Sequence, residues 1–150
     1  MVEQKLEDAL VFHARRYSTA LQSENARSNY LLRLQIMTDP DFVLGLAQQF
    51  SLTPEVAIPA WLRVVQLAEG NAEMGLLAAG GLYAQGLDEF AQQVVEGVLA
   101  ADPGNIAALE LKAALTPDPQ QRRIIFEQIL KIEPGNRTAV HNLILLDRPL

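Results

Sequence analysis

A five-residue phrase occurs twice in this chain and constrains its fold more than any other feature. Ala101-Asp102-Pro103-Gly104-Asn105 returns 31 residues later as Ile132-Glu133-Pro134-Gly135-Asn136. Each copy closes one helical stretch and opens another. Proline cannot continue a helix, and asparagine is a good residue to cap the next one. A structural phrase repeated at such a period points to similar units stacked in line, not to one irregular core.

The rest of the chain reads as helices between stops. From Val2 to about Gln22, Leu6, Leu10, His13/Ala14, Tyr17 and Leu21 recur in steps of three and four, which marks an amphipathic helix. Ser23 is a candidate N-cap for a second segment reaching about Met37, striped by Tyr30, Leu31, Leu34 and Met37. With neither Gly nor Pro between them, one bent helix or two are both compatible with the pattern. Thr38-Asp39-Pro40 and Thr53-Pro54-Glu55 each place a capping side chain before a proline, where the missing N–H costs nothing. They start helices reaching about Phe50 and Ala68. Pro59 is expected to kink the second of these or to make it restart.

Further helices are expected from Ala72 to about Gln85 and from Leu87 to Ala101. Three more follow: Ile106 to Leu115, Gln120 to Ile132, and Arg137 to about Asp147. Gly86 suits a left-handed turn. Phe90, Ala91, Val94, Val95, Val98 and Leu99 form one broad apolar face. Ile124, Ile125, Phe126, Ile129 and Leu130 are expected to point inward. No stretch shows the two-residue alternation of a half-buried strand, so the expected class is all-α, with about eight or nine helices.

Composition narrows the function classes. At 150 residues and 49% hydrophobic content the chain can build a sizeable core. The net charge of −6 disfavours nucleic acid as a partner. There is no cysteine, which removes disulfides, thiol catalysis and cysteine zinc sites. The acidic start MVEQKLEDAL does not look like a secretory signal, and the longest nearly apolar run, Gly75 to Ala84, is too short to cross a bilayer. The expectation is a cytoplasmic protein without membrane insertion.

Residues 72–105 resemble a tetratricopeptide repeat, whose unit is also 34 residues. Ala78, Ala79 and Leu82 match the family's small and large packing positions. Gln85-Gly86, Asp88-Glu89 and Ala91 match its turn, and Leu99 and Asp102-Pro103 its close. Gly75 stands where the family carries an aromatic residue. Residues 106–136 form a shortened unit, with Phe126, Ile129, Leu130 and Pro134 in place. Counting back gives a degenerate unit at 38–71, with Leu44-Gly45, Ala57, Trp61 and Val64 at matching places but Glu69 where the closing proline belongs. Residues 137–150 would be a terminal helix, and 1–37 an N-terminal helical cap, within one compact domain.

The resemblance implies a right-handed α-α superhelix of antiparallel helix pairs, with a concave groove lined by the first helix of each pair. Transferred position by position, groove residues are Glu73, Leu76, Leu77, Gly80 and Tyr83, then Ala107, Glu110, Leu111 and Ala114, then His141, Asn142 and Leu145. Leu76, Leu77 and Leu111 could equally contact neighbouring helices. Some family members clamp an acidic tail with basic and amide side chains. Here Leu77, Leu111 and Asn142 occupy the places where such a clamp would sit. The implied function is a non-enzymatic protein-interaction module, or scaffold, that takes a peptide or an amphipathic helix in an apolar groove.

The last helix adds an alternative. Val140, Leu143, Ile144, Leu145 and Leu146 cover more than one face, so cover by a second copy is expected, with Leu145 and Leu146 at the interface of a homo-oligomer. Catalysis finds little support. His13 and His141 stand in no metal-spaced or nucleophile motif, and Gly80-Gly81 is no phosphate loop, so no catalytic residue, metal or cofactor is assigned. A faint similarity of Gly45–Val64 to a DNA-binding helix-turn-helix is outweighed by Pro59 and by Arg63 as the single base there.

Overall fold

The computed structural model describes residues 1–148. Among these residues all regular structure is helical: α1 (Val2–Thr19), α2 (Glu24–Ile36), α3 (Pro40–Gln49), α4 (Pro54–Leu67), α5 (Ala72–Ala84), α6 (Asp88–Ala101), α7 (Ile106–Leu115), α8 (Pro119–Ile132) and α9 (Arg137–Asp147). Positions 149 and 150, the end of the expected terminal unit, lie outside the described residues.

The repeated phrase is a joint, and it is built three times. The C-caps Ala68, Asp102 and Glu133 each donate their N–H to the carbonyl four residues back, at 2.8 Å in every case. Asn71, Asn105 and Asn136 donate their N–H to those C-caps at 2.7, 3.1 and 3.0 Å. The same asparagines accept from Met74, Ala108 and Ala139 at 3.1, 3.0 and 2.9 Å, which satisfies an orphan N–H of the following helix. At the first joint Glu69-Gly70 replaces Pro-Gly, and Gly70 takes a left-handed φ of 82°. The same bonds are thus reached by a different backbone route.

The chain divides into two compact units, Met1–Gly86 and Leu87–Leu150. In the first, the Ser23 hydroxyl caps α2 by accepting from Ala26 at 3.1 Å, so two helices form, α1 ending at Thr19. They pair, and both also touch α4. α3 and α5 each pack against α4. The core draws Leu10, Tyr30, Val43, Val56, Val64 and Leu82 from all five helices. The Gln85 amide donates to the Ser51 carbonyl at 2.8 Å, tying two turns that lie 34 residues apart. Gly86 has φ 82°, the left-handed turn the sequence predicts.

Three local expectations in this unit are corrected. Leu21 lies beyond the end of α1 and is exposed. α4 does not restart at Pro59 but runs unbroken through it. Proline deprives the Glu55 carbonyl of its helical donor, but Glu55 is exposed, where water can serve it. One residue on, the buried Tyr30 hydroxyl donates to the Val56 carbonyl at 2.7 Å, adding a bond to the same turn. The Leu44-Gly45 pair does not occupy the packing positions. α3 buries Val43, Leu46 and Ala47, because it has 10 residues against 13 in α5 and leaves the 34-residue phase.

Small residues have a visible purpose at Gly81. A Cβ there would fall inside the indole of Trp61. Gly80, one residue away, has open space above it.

In the second unit α6 packs on α7, α7 on α8, and α8 on α9. Leu109, Ala113, Ile125, Phe126, Ile129 and Ala139 form its core, with Leu99, Leu130, Leu143 and Leu146 packed around it. Lys112 pairs with Glu96 at 3.6 Å, and Arg123 with Asp147. Ile124 is 62% exposed and not inward, since the buried face of α8 is already filled by its neighbours Ile125, Phe126 and Ile129. Phe90 likewise lies at the exposed margin of its helix.

Candidate protein-binding surfaces

Within Met1–Gly86, the first helices α3 and α5 border a depression of about 250 Å³ lined by Asp41, Leu44, Asn71, Glu73, Met74 and Leu77. Glu73 and Leu77 are both exposed residues expected in the groove, and Leu77 exposes 48% of its surface. Leu76 and Gly80 are half-buried, and Tyr83 is exposed toward the far end of α5. Asp41, Leu44, Asn71 and Met74 escaped the sequence reading. Asp41 and Leu44 belong to the unit rated degenerate, so its first helix was left out of the groove. The signal that could have found them is Asp41 itself, an acid in the first turn of α3 as Glu73 is in the first turn of α5.

The electrostatics of this surface are simple. Asp41 is the single charged residue of α3, and Glu73 that of α5. Residues 38–86 contain one base, Arg63. Its guanidinium donates twice to the Met37 carbonyl, at 3.2 and 2.9 Å, closing the end of α2. Nη1 donates to Gln66 at 3.1 Å. Among the described residues no basic side chain forms an ion pair with Asp41 or Glu73.

In Leu87–Leu150 the expected residues fall on two helices. Glu110 and Leu111 on α7 are half-buried, while Ala107 and Ala114 are exposed. On α9, His141 and Leu145 are exposed. Asn142 is half-buried, and its amide donates to the Thr138 carbonyl at 2.8 Å within the same helix. Leu146 is turned toward the unit's own core, whereas Val140, Ile144 and Leu145 stay exposed, Ile144 at 54%.

The histidines occupy different settings. His13 is half-buried on α1, edge-on to Phe12 with ring centroids 5.1 Å apart. Its Nδ1 is buried without a hydrogen-bond partner among the described residues. Burial first, then the positive charges of Arg33 and Arg16, lower its pKa from the ordinary 6.5. Among the described residues no three His, Asp or Glu side chains are grouped to hold a metal ion, and no helix is long and apolar enough to cross a membrane.

The sequence matches no protein-family model. It matches no curated protein. In structure it is similar to PilF of Pseudomonas aeruginosa, with a TM-score of 0.62 and 20% identity, over 97% of this chain and 69% of that one. At that identity the likeness establishes the fold, which is the all-α arrangement of tetratricopeptide-like helix pairs.

Proposed function

We propose that this chain is a non-enzymatic protein-interaction module that binds a segment of another protein across the first helices α3 and α5, with no cofactor. The observation that carries this reading is Leu77, a large apolar side chain left 48% exposed beside Leu44 and Met74 in a surface depression. Burying such a residue against a partner is worth roughly 1–2 kcal/mol. Folds of stacked helix pairs present surfaces of this kind for peptides and helices.

A photo-crosslinking residue placed at Leu77, compared with one at the exposed Lys131, tests the reading in the native host. Protein adducts specific to position 77 are expected. Identical adduct patterns at the two sites would remove it.

A second reading has its own observation. Val140, Ile144 and Leu145 form an exposed apolar surface on α9, as expected of a chain that associates with a second copy. Molar mass by light scattering separates this reading from the first, because a monomer at all concentrations eliminates it.

A further inference from the structure

We infer that the occupant of the α3–α5 surface is a cationic amphipathic segment of a partner protein, an inference that rests on the binding reading above. The floor of the depression is apolar, through Leu44, Met74 and Leu77, and its rim carries Asp41 and Glu73. These are the only charges on the two helices, and both are negative. Neither is neutralised by a base among the described residues, and the nearest base in sequence, Arg63, is committed to the Met37 carbonyl. An anionic segment would meet two like charges. A neutral apolar one would leave both carboxylates facing it without a counter-charge. A segment with Lys or Arg flanking one or two large apolar side chains complements both features.

The backbone of the surface supports the same occupant. Gly45 on α3 and Gly80 on α5 stand inside helices, where glycine costs about 1 kcal/mol relative to alanine. A Cβ at either would meet nothing within 4 Å. Packing inside the chain does not require these two glycines, whereas it does require Gly81. Their effect is to lower the surface so that a partner's backbone can approach closely.

The test uses three fluorescent helical peptides with one Leu pattern and Lys, Gln or Glu at the polar positions, titrated against the full chain at low and moderate salt. The Lys peptide is expected to bind most tightly, and more weakly as salt rises. Asp41→Asn with Glu73→Gln should weaken it on the order of fivefold to tenfold, the scale of two exposed charge pairs. Asp88→Asn with Glu89→Gln, an equal charge change in the first turn of α6, should leave it within about twofold. Leu77→Ala should weaken all binding at this surface.

Equal losses from the two double variants would mean general attraction to an acidic protein, and would overturn the inference. If Gln or Glu peptides bind as tightly as the Lys peptide and Leu77→Ala still weakens them, the surface is a docking site but the charge assignment fails. If Leu77→Ala changes nothing for any peptide, the binding reading itself falls.

Discussion

At the scale of single residues, Gly80 and Gly81 make a matched pair. Both lie inside α5, so alanine gains the same helix propensity at either, about 0.5–1 kcal/mol. At Gly80 the space is open and Gly80→Ala should stabilise the chain by that amount. At Gly81 the new methyl collides with the buried Trp61 ring, and Gly81→Ala should cost about 1–3 kcal/mol net, as overpacking does. Urea denaturation of the two variants checks both signs. His13 supplies a pH dependence. Its folded pKa lies below 6.5, so as pH falls through that value the unfolded chain takes up the proton first and stability is lost. His13→Gln should therefore lose less stability than the parent between pH 7 and pH 5. Carboxylate titration is common to both proteins, so the difference between their curves isolates this residue.

At the scale of elements, the asparagine caps predict that Asn105→Ala and Asn136→Ala each cost about 1 kcal/mol, within a range of roughly 0.5–2. A chemical denaturation midpoint measures this. Asn71→Ala should behave alike, although its joint lacks the proline. The helices were legible because their boundaries are local chemistry: Ser23, Asp39, Asn71, Asn105, Asp118 and Asn136 each accept from a backbone N–H at a helix start. Phase within a helix was less legible. Gly45 and Ile124 were read from spacing, but α3 is three residues shorter than α5, and α8 fills its core face without Ile124. Pro59 was read as an interruption because Tyr30, which adds a bond to its turn, stands 29 residues away in sequence. The binding surface was half legible. Glu73 and Leu77 follow from the regular repeat, whereas Asp41 and Leu44 required the depression itself.

At the scale of the whole molecule, the exposed apolar residues of α9 govern association. If two copies meet there, Leu145→Glu should return the molar mass measured by light scattering to that of one chain, with helical content unchanged. Leu146→Glu is a poorer probe, because Leu146 packs on the core of Leu87–Leu150 and its loss should lower stability as well. The division at Gly86 falls inside the most regular repeat, between its two helices. Periodicity records where helices begin and end, whereas the limits of a compact unit depend on which side chains pack together. The joints at Asp102–Asn105 and Glu133–Asn136 carry one further consequence. Each is closed by bonds among residues no more than four apart, so its geometry is fixed by its own few residues. Residues 106–136 can therefore be copied in tandem with both seams chemically identical to the parent's. Lengthening the array by duplication of that one segment requires no new solution at the junction.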